Sequence, residues 1–186
     1  MQTICLKKRF QVGDDSADRK LIKSVLDIIN QPANQPADKD AGSSEQFNKD
    51  NSSKDRQKIV LHIDDDPEDR EFVHEAIQSV DPSFIVIEAG NGQAGIEFLK
   101  KAKSFGDLPC LIILDVNMPG MNGFEIYNEI KKDEVLKTLP AVIFTTAAFF
   151  KGGQSKGNED LPIFIKPDKI KDFAACIQKI LTHCKG

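Results

Sequence analysis

The 186-residue sequence lacks three features, and each absence excludes a class of function. Basic residues are not in excess, because 25 Lys and Arg stand against 29 Asp and Glu. Nonspecific nucleic-acid binding needs a basic surface and is therefore not expected. No apolar stretch is long enough to span a bilayer, and the basic N-terminus is not followed by the apolar region of a secretory signal. We expect a cytoplasmic protein that contacts neither membrane nor nucleic acid directly.

Recognisable cysteine and histidine motifs are the third missing feature. The four cysteines show neither a CxxC motif nor the Cys/His spacing of a metal site: Cys5, Cys110, Cys176 and Cys184. In a cytoplasmic protein such cysteines are expected to be reduced thiols. His62 lies inside a predicted strand and is expected to be a core residue, whereas His74 is predicted on a helix surface.

Composition divides the chain into three parts. Residues 1–30 contain a possible short strand and then a short amphipathic helix, with apolar side chains at one-face spacing over residues 16–29. Residues 31–57 are dominated by polar side chains and proline, and they predict a flexible linker because too little apolar surface is present to offset chain entropy. Residues 58–184 have a regular pattern and predict one folded domain.

In this domain, apolar runs alternate with amphipathic helix patterns. The runs predict five buried strands, at residues 59–63, 84–87, 111–114, 141–145 and 163–165. Alternation at this spacing is typical of right-handed βαβ units and a parallel sheet covered on both faces. The connection before the last strand is different, because residues 151–158 contain three glycines and no apolar face. A regular helix is not expected there.

Polar side chains follow four of the predicted strands, where strand carboxyl ends share one edge of a parallel sheet. They are Asp64, Asp65, Asp115, Thr145 and Lys166. Asp66 is better explained as the N-cap of the helix that begins at Pro67. Two carboxylates about 4 Å apart repel by roughly 4 kcal/mol at an effective dielectric constant near 20. The acids must therefore be neutralised by a divalent cation, by Lys166 or by protonation. Oxygen donors without nearby His or Cys favour Mg²⁺.

A carboxylate beside a metal ion and a lysine can act as a nucleophile toward a phosphoryl group. The protein then contributes mainly positioning and charge neutralisation. Mg²⁺ and Lys166 would hold the phosphoryl oxygens, and Thr145 would donate a hydrogen bond to one of them. The pattern thus indicates phosphoryl transfer to an aspartate.

Four stretches carry a resemblance to a known family. They are IDDDP at 63–67, LDVNMPGMNG at 114–123, PAVIFTTA at 140–147 and IKP at 165–167. In this order they resemble the receiver domain of two-component response regulators, over residues 58–184. The resemblance implies a flavodoxin-like, doubly wound, five-stranded parallel sheet with strand order 2-1-3-4-5, here with an irregular fourth helix.

The resemblance also implies roles for individual residues. Asp115 would be the phosphoacceptor, supplied by a histidine kinase or a histidine phosphotransfer protein. Mg²⁺ would be held by Asp115 and directly by Asp65, by Asp64 mainly through water, and by the backbone carbonyl of Asn117. Thr145 would be the switch hydroxyl, and Lys166 would pair with the phosphoryl group.

The sequence departs from the family at the expected output face. Ile163 stands where an aromatic residue is usual, with Phe164 on the other side of the sheet, and the glycine-rich segment replaces the usual fourth helix. We therefore expect readout by ordering of residues 147–160. The expected protein is a stand-alone receiver, not an enzyme, that signals to a downstream protein by direct contact.

Two alternative functions remain open. A pseudo-receiver would bind partners without being phosphorylated. A Mg²⁺-dependent phosphatase of the haloacid type would turn over a phosphomonoester. That family has a second acid two residues after its nucleophile, whereas this chain has Asn117.

Overall fold

The computed structural model describes residues 9–12, 58–147 and 161–185. The predicted helix at 16–29, the predicted linker at 31–57 and most of the predicted output loop at 147–160 lie outside these ranges. Among the helices that are described, none has the length and apolar character needed to cross a membrane.

Strands and helices alternate along the described chain. The strands are β1 Arg9–Val12, β2 Ile59–Ile63, β3 Ile85–Ala89, β4 Leu111–Leu114, β5 Ala141–Thr145 and β6 Ile163–Ile165. The helices are α1 Pro67–Val80, α2 Gly92–Phe105, α3 Gly123–Lys131 and α4 Ile170–Leu181, with a 3-10 turn at Leu136–Thr138. The five strands predicted from residue 59 onward are all present, within two residues of their predicted ends.

The strands form one six-stranded sheet in the order β1-β3-β2-β4-β5-β6, and all of its pairs are parallel. Without β1 this is the predicted order 2-1-3-4-5, which is confirmed. The N-terminal β1 adds a strand to the edge beyond β3, with Val12 opposite Ala89. The register aligns Ile63 with both Ala89 and Leu114, so the chain segments after β2, β3 and β4 begin side by side.

Each face of the sheet carries its own hydrophobic layer, because successive strand residues point to opposite faces. Ile112 and Leu114 pack in the layer beneath α2 and α3, whereas Leu111 and Ile113 pack in the layer beneath α1 and α4. Phe164 packs in the α1/α4 layer, as predicted. The sheet is therefore covered on both faces, and the acids that directly follow β2 and β4 lie at its carboxyl edge.

Two helix starts fix the loops at this edge. Asp66 caps α1 as predicted, its Oδ1 accepting from the backbone N–H of Glu68 at 2.8 Å. Asn122 and Glu125 form a capping box at the start of α3. At Gly123 a Cβ atom would lie 2.4 Å from the carbonyl oxygen of Asp115. Only glycine allows the start of α3 to approach the end of β4 this closely.

Two predictions are wrong. His74 is 1% exposed and lies against the sheet rather than on a helix surface, with its Nδ1 3.9 Å from Glu88 Oε1. Cys110 and Cys184 form a disulfide, with Cα atoms 4.9 Å apart, instead of remaining reduced. The 74-residue separation gave no sequence signal. The pair meets because the end of the chain returns to the start of β4, where the N–H of Lys185 donates to the carbonyl of Cys110.

The disulfide predicts a redox-dependent stability. Reduction, or the Cys110→Ser/Cys184→Ser double substitution, should lower the free energy of unfolding by about 2–4 kcal/mol, because the cross-link restricts the unfolded chain. Urea denaturation with and without reductant measures this. The matched control is Cys176→Ser, at a half-buried cysteine outside the disulfide. Equal midpoints for the oxidised and reduced protein would contradict the prediction.

Candidate functional site

Three carboxylates converge at the carboxyl edge of the sheet. One oxygen each from Asp64, Asp65 and Asp115 lies within 4.8 Å of the others. The pairing of β2 with β4 explains this, because Ile63 stands beside Leu114 and the N–H of Asp115 donates to the carbonyl of Ile63 at 2.9 Å. The structure therefore brings together the three acids that the sequence singled out.

Lys166 extends from the end of β6 into this acidic cluster. Its backbone N–H donates to the carbonyl of Thr145, which fixes it beside β5. Its Nζ lies 2.7 Å from Asp64 Oδ2 and 3.0 Å from Asp115 Oδ1, and the side chain is only 6% exposed. Burial alone would lower the pKa of this ammonium, but the surrounding carboxylates raise the pKa above its ordinary value. Lys166 is therefore a fixed positive charge at the centre of the site.

Asp64 is the most strongly held of the acids. Its Oδ1 accepts from the backbone N–H of Asp66 at 2.9 Å, and its Oδ2 accepts from Lys166. Burial alone would raise the pKa of the Asp64 carboxyl. The neighbouring His62 and Lys166 outweigh that effect and lower the pKa to about 2. Asp64 is thus ionised at neutral pH and already shares its charge with the lysine.

Asp65 is exposed, and the pKa of its carboxyl is raised, whereas that of Asp64 is lowered. Partial desolvation raises the pKa of its carboxyl, and repulsion by Asp64, Asp115 and Asp66 raises it further. A cation placed between these acids would relieve this repulsion. Asp65 is the exposed member of the three clustered acids, whereas Asp64 and Asp115 are buried.

The two oxygens of Asp115 have different surroundings. Oδ2 accepts from the backbone N–H of Asn117 at 2.6 Å. Oδ1 is buried and accepts no hydrogen bond from any residue that the structure describes, although it lies 3.0 Å from Lys166 Nζ. A buried oxygen without a donor is costly unless it serves another purpose. This oxygen has a lone pair available to a cation or to an electrophile.

Asn117 and Thr145 close the other side of the site. The side-chain amide of Asn117 donates to Thr146 Oγ1 at 3.2 Å and to Thr145 Oγ1 at 3.4 Å. Thr145 is buried and Thr146 is exposed. Thr145 therefore lies beside the acidic loop, as predicted, whereas the role of the Asn117 carbonyl as a metal ligand stays a prediction.

Two residues of the first turn of α1 were missed by the sequence reasoning. Asp69 Oδ2 accepts a hydrogen bond from Lys166 Nζ at 2.7 Å. Arg70 Nη1 donates to the carbonyl of Asp64 at 2.6 Å, and its Nε lies 3.5 Å from the fully buried Glu88 carboxylate. Their position in the sequence could have indicated these contacts. Both residues directly follow the acidic loop, and a helix that begins there places its first turn over the edge of the sheet.

The donor set fits a small divalent cation. Three carboxylates supply hard oxygen ligands, and Asp115 Oδ1 is an oxygen for which no donor is described. Mg²⁺ prefers such ligands and binds through one or two carboxylates while retaining water. The edge can therefore hold a cation, a buried carboxylate oxygen and a fixed ammonium in one small volume.

Residues 60–151 match the family model of the response regulator receiver domain. The response regulator Rcp1 of Synechocystis sp. is 32% identical over 94 residues, which is 48% of this chain and 63% of Rcp1. The sensor histidine kinase CheAY of Helicobacter pylori is 33% identical over 88 residues, 47% of this chain and 10% of that kinase. The chain thus spans less than two thirds of these two relatives.

Solved structures agree with the fold. The Mn²⁺-bound form of response regulator Rcp1 matches with a TM-score of 0.55 and 27% identity, over 67% of this chain and 92% of that chain. The chemotaxis protein CheY4 of Vibrio cholerae matches with a TM-score of 0.52 and 27% identity, over 67% and 99% of the two chains.

The pKa of Asp64 predicts an acid-sensitive stability. A carboxyl whose pKa is lowered from 3.8 to about 2 by folding stabilises the protein above its unfolded pKa, and this contribution is lost as the pH falls through the folded pKa. In metal-free buffer, lowering the pH from about 5 to about 2 should cost the wild type about 2 kcal/mol more than Asp64→Asn. Urea denaturation across this range measures the difference. Parallel pH profiles for the two proteins would contradict the assigned interactions.

Three observations agree: the strand order of the sheet, the acidic edge with its lysine, and the matched family model. Residues 60–151 therefore carry a response regulator receiver domain.

Proposed function

We propose that the protein accepts a phosphoryl group on Asp115 in a histidine-to-aspartate phosphorelay. The observation that carries this proposal is the buried Oδ1 of Asp115, which lies 3.0 Å from the Lys166 ammonium and for which no hydrogen-bond donor is described. Receiver domains work with histidine kinases. The proposed phosphodonor is a phosphohistidine on a histidine kinase or on a histidine phosphotransfer protein.

The proposed reaction is a direct displacement at phosphorus. Asp115 Oδ1 attacks the phosphorus atom, an O–P bond forms, and the P–N bond to the donor histidine breaks. The bonding electron pair leaves with the histidine nitrogen, which takes up a proton. The product is an acyl phosphate on Asp115. The hydrogen bond from Asn117 N–H to Oδ2 orients the carboxylate with Oδ1 as the attacking atom.

Lys166 supplies charge neutralisation in this reaction. Phosphoryl transfer demands mainly that the reacting groups be positioned and that charge on the equatorial oxygens be stabilised. Lys166 is held at the end of β6 and is buried, so its charge needs no reorganisation as the phosphoryl group arrives. The lysine then exchanges its contact with Asp115 for one with a phosphoryl oxygen.

The proposed cofactor is Mg²⁺, with Asp65, Asp115 and the backbone carbonyl of Asn117 as direct ligands and Asp64 acting mainly through water. When bound, the ion would offset the negative charge of the acids and of the transferred group. The raised pKa of Asp65 supports this arrangement, because desolvation and the neighbouring acids both disfavour its charged form.

Receiver domains act as signalling modules rather than as enzymes. We propose that the Thr145 hydroxyl, which now accepts a weak hydrogen bond from Asn117, donates to the phosphoryl group and so converts phosphorylation into a change at the neighbouring surface. The output would be contact with a downstream protein, followed by slow self-dephosphorylation. The proposal includes a cytoplasmic location. Because the cytoplasm is reducing, the state of Cys110 and Cys184, disulfide or two thiols, would depend on the redox conditions of the cell.

The decisive test is phosphorylation by a small donor. Incubation with acetyl phosphate and Mg²⁺ should add the mass of one phosphoryl group to the intact protein, and Asp115→Asn should abolish this gain. The matched control is Asp168→Asn, at an exposed aspartate after β6, which should be labelled normally. Chelation of Mg²⁺ should suppress labelling of the wild type.

Other results would favour the alternative functions. A folded wild-type protein that gains no mass would be a pseudo-receiver. Sustained turnover of a phosphomonoester, with no accumulated acyl phosphate, would indicate the phosphatase. Circular dichroism of each variant establishes that lost labelling does not reflect unfolding.

A further inference from the structure

The ammonium of Lys166 is anchored at two points that lie on different elements. A lysine ammonium has three N–H donors. One donates to Asp64 Oδ2 after β2, and another donates to Asp69 Oδ2 in α1, each at 2.7 Å. Asp115 Oδ1 lies 3.0 Å from the same Nζ but accepts no hydrogen bond from it. Two donors are therefore committed, and the third remains.

The hydrogen bond to Lys166 is not needed to begin α1. The helix is capped by Asp66, and Glu68 supplies a first acidic side chain to its first turn. A further acid in that turn is favourable toward the helix dipole whether or not it contacts Lys166. Asp69 nevertheless reaches across to a lysine 97 residues away, and this leaves its side chain 27% exposed.

We propose that Asp69 is a positioning residue for phosphoryl transfer. It holds the flexible lysine side chain so that the one uncommitted N–H of Lys166 points toward the position of the incoming phosphoryl group. The inference rests on the proposed function of Asp115. It assigns to Asp69 an effect that acts through Lys166, and Asp69 itself does not touch the reacting atoms.

Two effects of Asp69 can be separated because they have opposite signs. Its negative charge repels an anionic phosphodonor, so removing that charge should lower the donor concentration needed for half-maximal labelling. Its hydrogen bond orients Lys166, so removing the acceptor should lower the labelling rate at saturating donor. A purely electrostatic role predicts only the first effect, whereas a positioning role requires the second.

The experiment compares three substitutions under acetyl phosphate and Mg²⁺. Asp69→Ala removes both the charge and the acceptor, and it should lower the saturating rate by about ten-fold. Asp69→Asn removes the charge but keeps an acceptor oxygen, so its loss of rate should be smaller. Glu68→Ala is the matched control, because it removes one charge from the same turn at an exposed side chain. Its saturating rate should stay within about two-fold of wild type.

A second measurement does not depend on phosphorylation. The ¹⁵N-detected ammonium signal of Lys166 should be observable in the wild type and in Glu68→Ala, where two carboxylates hold the group. Asp69→Ala should broaden this signal through faster rotation and proton exchange. Urea midpoints of the three variants establish that each is folded.

The outcomes separate this inference from the proposal on which it rests. Failure of the wild type to gain a phosphoryl group would overturn both. A labelled wild type with equal saturating rates for Asp69→Ala and Glu68→Ala would overturn the role of Asp69 alone. An unchanged Lys166 ammonium signal in Asp69→Ala would also overturn it.

Discussion

The contact of one buried ammonium with three carboxylates is the interaction on which the functional edge depends. Lys166 joins the loop after β2, the first turn of α1 and the end of β4 to β6, through Asp64, Asp69 and Asp115. Each close pair of like charges would otherwise cost roughly 4 kcal/mol at an effective dielectric constant near 20. A buried charge that loses its partner is strongly destabilising. The lysine is therefore a structural requirement of the acid cluster before it has any part in chemistry.

Backbone constraints bring these side chains to the same place. The parallel register of β2 with β4 sets Asp64 and Asp115 side by side, and the hydrogen bond from Lys166 N–H to Thr145 O holds the end of β6 beside β5. The close approach of Gly123 to the Asp115 carbonyl leaves no room for a side chain. The cluster therefore sits on strand ends whose positions are fixed by the sheet, which is the support that a precisely positioned reaction needs.

Local sequence patterns correctly predicted the strands, the start of α1 and the meeting of side chains at the strand ends. Apolar runs gave the five strands after residue 58, and Asp66 before Pro67 gave the start of α1. Parallel strand ends gave the meeting of Asp64, Asp65, Asp115 and Lys166. These predictions succeed because buried strands, capped helices and a shared sheet edge each follow from a few neighbouring residues.

Features that depend on tertiary contacts were missed or predicted wrongly. His74 was predicted on a helix surface, but it is buried against the sheet, with its Nδ1 3.9 Å from Glu88 Oε1 on β3. The Cys110–Cys184 disulfide joins segments 74 residues apart. The contact of Asp69 with Lys166 likewise links the first turn of α1 to the end of β6. A pairing between distant segments leaves no periodic trace in the sequence, so periodicity could not find it.

The added strand β1 pairs with β3 at the edge of the sheet, and it also contacts a buried carboxylate, that of Glu88. Gln11 Nε2 donates to Glu88 Oε2 at 3.4 Å, and Arg70 Nε lies 3.5 Å from the same oxygen. Arg70 in turn donates to the carbonyl of Asp64. Glu88 is fully buried, and a buried carboxylate requires both a counter-charge and hydrogen-bond donors. Because β1 pairs with β3 and also supplies such a donor, it helps satisfy the charge beneath the acidic edge, and residues 9–12 belong to the same structural unit as the receiver sheet.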